Sequence, residues 1–194
     1  MMRILWETGM RIGALQSLDV GDVDIDNKEI NLLHRPQGGT SLKLGSKGER
    51  VLPLREGTCN IVQDYLTSRR LPTVDRHDRE PLIAFSEKRP AKSTLRQHVH
   101  RNTQPCQYSN KCPHGRSMLE CDSRGYGLPN RCPSSHPPHD VRRGAIMNWL
   151  SNDVPRQIVM DRMSVHSDAL DKHYDLRNSL MKKRQQRRYL DDVL

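Results

Sequence analysis

Aromatic residues are scarce in this chain: one Phe, two Trp and five Tyr make up 4% of 194 residues. Binding of unpaired bases usually relies on aromatic stacking platforms, so that mode is disfavoured. No stretch of about 18 consecutive apolar residues occurs, so no membrane-spanning helix is expected. The opening Met1-Met2-Arg3-Ile4-Leu5-Trp6 is interrupted by Glu7 too early for a secretory signal, and a cytoplasmic location is expected. Acidic residues are also few. Against 32 Lys and Arg stand 23 Asp and Glu, a net charge of +9. Such a balance favours an anionic partner, nucleic acid first, and with so few aromatics the backbone of a duplex fits best. No internal repeat is visible, and no Cys-x-x-Cys pair occurs among the five cysteines.

What is present reads as a mixed but mainly helical domain. Residues 1–18 predict two helices separated at Thr8-Gly9, with Ile12, Leu15 and Leu18 at helical spacing toward a core. Residues 29–33 and 50–54 alternate like strands of a small antiparallel sheet. Their connection carries Gly38, Gly39, Gly45 and Gly48, together with Lys43 and Lys47. An amphipathic helix is predicted over 56–69, a charged linker over 71–81, and a helix over 93–103 capped by Ser93. Pro138 opens a helix over 139–150. Shorter helices follow over 155–163 and 168–174, then a basic one over 178–190.

Several polar residues fall in an order with chemical meaning: Arg11 after a glycine turn, a lysine at 43 or 47, His139, Arg142 and Tyr174. His139 and Arg142, three apart, share one face of a helix, with Val141, Ala145 and Trp149 on the opposite, core-directed side. Metal-free phosphoryl transfer to a tyrosine calls for such a set. Arginines neutralise non-bridging oxygens, a histidine moves a proton, a lysine protonates the leaving oxygen and the tyrosine attacks. A phenol is a weak nucleophile at neutral pH and needs a base and cations around it. Taken singly, each residue has a plainer reading as a solvated helix arginine, a loop lysine or a packed tyrosine ring.

Together these residues resemble the catalytic domain of the tyrosine recombinase, or phage integrase, family over segments 7–23, 48–54 and 139–175. In texture, Arg89-Pro90-Ala91-Lys92-Ser93-Thr94, Thr103-Gln104-Pro105-Cys106, Cys132-Pro133-Ser134-Ser135 and Leu170-Asp171-Lys172-His173-Tyr174-Asp175 are similar to cysteine-containing, integrase-like proteins of halophilic archaea. The chain lacks the acidic surface usual in such organisms. The resemblance implies an α+β, mainly helical fold with a small antiparallel sheet and a Cys-rich insertion. It implies one catalytic domain over 1–194, with the core-binding domain of the family absent. Arg11 and Arg142 would clamp the scissile phosphate, His139 would be the general base or acid, and Tyr174 the nucleophile. The hairpin lysine is Lys43 or Lys47, and Thr40-Ser41-Leu42-Lys43 favours Lys43.

Three positions depart from the family pattern: Ala14 where an acidic residue often stands, Arg143 where a His often follows, and Val165 nine residues before the tyrosine. His166 would replace Val165 by a one-residue shift, or that role would be vacant. The expected partners are double-stranded DNA and further copies of the chain in a synaptic tetramer, with exchange of C-terminal helices through the basic segment near 178–190. No catalytic cofactor is implied, and a prokaryotic or viral, nucleoid-associated setting is expected. The implied activity is site-specific integration or excision of a mobile element. The alternative is an impaired remnant that binds DNA without cleaving it.

Residues 105–133 hold seven Pro and Gly and four of the five cysteines. Cys106, Cys112, Cys121 and Cys132, separated by five, eight and ten residues, would order such a segment by holding a structural tetrahedral zinc. A zinc-dependent interaction module is therefore a third expectation, and four unrelated thiols in a disordered loop is the plainer one. Cys59, on an amphipathic helix, reads as core.

Overall fold

A computed structural model describes residues 1–85, 88–173, 182–184, 186–188 and 190. Tyr174 and much of the basic C-terminal segment lie outside the described residues. Helix α1 (Met2–Thr8) ends at Gly9, whose backbone is left-handed at φ 57° and whose N–H bonds Leu5 O at 2.9 Å. This is the glycine C-cap that a non-glycine residue adopts only with strain. A Cβ at Gly9 would also stand 2.6 Å from the sulfur of Met163, so the turn doubles as a close packing point. The chain re-enters a helix as α2 (Ile12–Ser17) with Arg11 extended at its N-cap. The expected break at Thr8-Gly9 is thus present, and it projects Arg11 from the start of a helix.

A three-stranded antiparallel sheet follows: β1 (Val23–Asp24), β2 (Glu29–Leu32) and β3 (Arg50–Pro53), with β2 in the middle. The register pairs Ile30 with Leu52 and Leu32 with Arg50. Ile30, Leu32 and Leu52 point inward at the period of two that a half-buried sheet demands. The connection between β2 and β3 carries both candidate lysines, Lys47 within a 3-10 turn at Gly45–Gly48. Helices α3 (Glu56–Ser68) and α4 (Lys92–Asn102) pack on this layer through Cys59 and Val62 and through Leu95 and Val99. The expected cap at Ser93 is displaced. The N-cap of α4 is Ala91, without a side-chain hydrogen bond, and Leu95 and Val99 anchor the helix by burial instead.

After α4 the insertion forms one short helix, α5 (Cys106–Ser109), and two 3-10 turns at Asp122–Arg124 and Pro129–Arg131. Its base is tied by polar contacts. Gln104, 1% exposed, donates from Nε2 to Ser123 O at 3.0 Å and to Pro129 O at 3.1 Å. Thr103 Oγ1 donates to His136 O and accepts from His136 N, joining the two ends of the segment. Helix α6 (Pro138–Ser151) starts with Pro138 in its first turn, as expected. It packs with α7 (Arg156–Met163) and α8 (Ser167–His173) around a second core of Ala145, Ile146, Leu150, Val159, Met163, Val165 and Leu170. Val141 belongs to the first core, so α6 bridges the two.

The segment expected to be a charged linker is instead built in. Val20 N bonds Glu80 O and Leu82 N bonds Leu18 O, both at 2.9 Å. Arg89 donates to Asp75 at 2.6 Å, to Asp19, and to the carbonyls of Gln16 and Leu18. Arg79 reaches Asp19 Oδ2 at 2.8 Å and the carbonyls of Ser17 and Gly38. Arg35 forms two bonds with Asp22. Each charge has an opposite partner, which is the condition for burying it. Among the described residues no helix is long and apolar enough to cross a membrane.

Candidate active site

The folded chain gathers a basic cleft between α2, the β2–β3 connection, α4 and the start of α6. One cavity of about 340 Å³ is lined by Arg11, Lys43, Arg50, Lys92, Arg96 and Ser164 among others. An adjoining one of about 360 Å³ shares Arg11, Lys43 and Arg96 and adds His100, His139 and Arg142. No acidic side chain is among the described residues lining either. Arg11, Lys43, His139 and Arg142, which the sequence separates widely, therefore meet around one space.

Each side chain has a local reason for its position. The Arg11 guanidinium donates to Ser164 O at 3.3 Å, and Ser164 caps α7 in a left-handed conformation at φ 50°. That carbonyl orients Arg11 where an acidic side chain at position 14 is missing, and Ala14 is buried. Arg142 is 2% exposed and donates from Nη1 to Gly9 O at 2.5 Å. The glycine turn before Arg11 thus also holds the second arginine. The expected assignment of helix faces in α6 needs correction here. Arg142 lies on the buried side beside Val141, Ala145 and Ile146, because α6 is enclosed by both cores. Trp149 is half-buried, with the Arg162 guanidinium 4.7 Å above its ring. His139 stays exposed at the first turn of α6, at the mouth of the cleft.

The two lysines separate. Lys43 lines both cavities that contain Arg11. Lys47 lines a neighbouring hollow with Arg50, Ser164 and His166. Val165 is buried in the second core, while His166 is exposed in the Lys47 hollow.

Arg50 escaped the sequence reading. It donates from Nε to Arg162 O at 2.8 Å and from Nη1 to Gly48 O at 2.7 Å. Burial pushes its guanidinium down to about 10, and repulsion from Arg142, Arg11 and Arg162 pushes the same way. Its signal was available: two residues before the buried Leu52, an arginine occupies the inward register of a strand. Lys92, Arg96 and His100, four apart on α4, form a second missed set along one helix face.

Cys106 and Cys132 are buried, and Cys112 and Cys121 are half-buried, all as free thiols. Among the described residues no three His, Cys, Asp or Glu side chains gather as metal ligands. The thiols do not fit a zinc ion as arranged, and the zinc expectation draws no support from this geometry.

Comparison with known proteins places this cleft in a context. The family pattern described as the phage integrase family matches residues 1–177. The tyrosine recombinase XerC of Haemophilus ducreyi is 33% identical over 69 residues, 36% of this chain and 19% of the relative. XerC of Actinobacillus pleuropneumoniae is 35% identical over 52 residues, 27% of this chain and 17% of the relative. The alignments therefore span less than a fifth of those curated relatives. Among solved structures, XerA recombinase superposes with a TM-score of 0.64 at 20% identity, covering 96% of this chain and 54% of that one. The Tn1549 transposon integrase, in complex with transposon right end DNA, gives 0.66 at 16% identity over 99% and 57%. These structures share the fold: mainly helical, with a small antiparallel sheet.

Proposed function

The chain belongs to the phage integrase family, and from that premise we propose that it cleaves and rejoins duplex DNA at specific sites through a covalent 3′-phosphotyrosine. The phenol of Tyr174 attacks the phosphorus and gives up its proton. The bond to the 5′-oxygen breaks, and that oxygen takes a proton to leave as a hydroxyl. The phosphotyrosine retains the bond energy, so a 5′-hydroxyl from a partner duplex rejoins the strands by the reverse step. Arg11 and Arg142 would clamp the two non-bridging oxygens, since guanidinium forks suit paired oxygens. Lys43 would protonate the 5′-oxygen and His139 would carry the proton of the tyrosine. His166 and Lys47, in the adjoining hollow, would assist from its edge. The whole reaction joins two duplexes, and so calls for further copies of the chain in a synaptic assembly acting on a mobile element. Such work belongs with the nucleoid.

One observation carries this reading: Arg11, Lys43, His139 and Arg142 converge, with half-buried Arg50 beside them, on a cleft whose described lining contains no carboxylate, and burial and the neighbouring arginines push Arg50 down to about 10. Such a cleft is short of negative charge, and a phosphate diester supplies it. The core position of Val165 favours a second reading, a DNA-binding protein that does not cleave. Trapping on a nicked duplex separates the two. Wild type should give a covalent protein–DNA product, and Tyr174→Phe should give none while binding the duplex nearly as well. Wild-type levels of covalent product from Tyr174→Phe would remove Tyr174 from the mechanism. No product from wild type, with binding intact, would leave the second reading standing.

A further inference from the structure

Helix α4 carries two histidines in different circumstances. His98 stacks on Phe85 with ring centroids 4.1 Å apart, a packing role. His100 lines the cavity that also holds Arg11, Lys43, Arg96, His139 and Arg142. Its Nδ1 meets Ser135 Oγ at 3.0 Å, which leaves Nε2 as the ring nitrogen available to a ligand. Ser135 N is in turn bonded to Cys132 O at 3.0 Å, so the hydroxyl is supported by ordered backbone. A half-buried imidazole fixed through one nitrogen, in a basic cleft with no acidic lining among the described residues, is arranged to meet an anion.

We propose that His100 is a further phosphate-contacting residue of this site, its Nε2 donating to a DNA phosphate oxygen in the cleft beside His139. The proposal rests on the reading that the cleft holds DNA. Burial is the main influence that lowers the proton affinity of His100. Asp140, on α6, raises it, and His136, on the segment before α6, lowers it. From the cleft, Arg11, Lys43, Arg96, His139 and Arg142 face the same space. Burial therefore biases the ring toward its neutral form in the free protein, and an arriving phosphate favours the imidazolium.

The test is a pH titration of the histidine ring resonances by NMR, with and without a 20-base-pair duplex. Duplex should move the titration midpoint of His100 to higher pH, about tenfold in proton affinity. Exposed His77, hydrogen-bonded through its backbone N–H to Asp75, is the internal reference and should move less. His100→Phe keeps a flat ring and should bind the duplex about tenfold more weakly, the scale of one hydrogen bond to a charged group. His100→Gln, which restores an amide nitrogen near the Nε2 position, should stay within about threefold of wild type, a loss near the net value of a weak hydrogen bond. A His100 midpoint that rises no more than that of His77 when duplex binds overturns the proposal alone. So does equal weakening by Phe and Gln. No duplex binding by wild type overturns both this contact and the reading on which it rests. Should His100→Phe fail to fold, the wild-type titration decides.

Discussion

Two clusters of arginine occupy this domain, and they are held in different ways. In the first, Arg35, Arg79 and Arg89 face Asp19, Asp22 and Asp75, with every guanidinium in contact with a carboxylate. In the second, the guanidinium groups of Arg11, Arg50 and Arg142 reach backbone carbonyls of Ser164, Arg162, Gly48 and Gly9. Carbonyls orient a guanidinium without neutralising it. The first cluster therefore holds residues 71–85 and Arg89 against the N-terminal helices, and the second gathers positive charge around the cleft proposed to take a phosphate. The same residue type is structural in the first region and proposed as functional in the second, and the carboxylates that meet Arg35, Arg79 and Arg89 set the first apart.

The largest effect expected from breaking this contrast lies in the paired cluster. Burial opposes ionisation of Asp75, but the Arg89 hydrogen bond and the backbone amides of His77 and Arg79 outweigh it and hold the carboxyl below its usual value. A carboxyl depressed in the folded state contributes stability above the ordinary carboxylate range and loses it as pH falls through the folded value. Asp75→Asn should cost roughly 3 kcal/mol at pH 7, the upper end for losing a hydrogen bond to a charged group, since Arg89 keeps Asp19. The cost should shrink steadily in acid, as measured by urea unfolding across pH 3–7. A pH-independent cost would show that only packing was lost. DNA cleavage by the variant, measured where it is folded, should match wild type.

In the cleft the pattern should reverse, with activity affected more than stability. Arg142→Ala should slow formation of the covalent DNA product by ~10²-fold, the scale for losing one preorganised transition-state contact. Single-turnover rates on a nicked duplex give the measurement. A loss below about threefold would place Arg142 among the structural arginines, where its bond to Gly9 O would be its whole role.

How much of this was legible in the sequence depends on range. The break at Thr8-Gly9, the β2 and β3 strands and the proline-started α6 were readable because each is set by a few neighbouring residues. Arg11, Lys43, His139 and Arg142 were reached through resemblance, since no local rule joins residues more than a hundred positions apart. The Asp19–Arg89 pair spans 70 positions, and a stretch such as 71–81 reads as solvated until its partners are known. Arg50 was legible in principle from strand register but was overlooked beside the more familiar lysines.

The smallest effect is expected in the insertion, where the comparison turns on thiols. Four cysteines in a Pro/Gly-rich stretch suggested zinc, because such a stretch has little apolar surface with which to order itself. The folded chain shows other means of order. Gln104 grips the carbonyls of both 3-10 turns, Thr103 and His136 close the base, and Cys106 and Cys132 are buried as small apolar groups. Order that rests on these contacts should not need metal. A chelator should then leave the thermal transition unchanged, and the purified chain should carry well under one zinc. Gln104→Ala, which removes one hydrogen bond from each of two carbonyls, should lower stability by about 1–3 kcal/mol. Stoichiometric zinc, lost on changing all four cysteines to Ser and accompanied by a chelator-sensitive transition, would reverse the assignment. The insertion would then be ordered by its thiols, with Gln104 secondary to the metal.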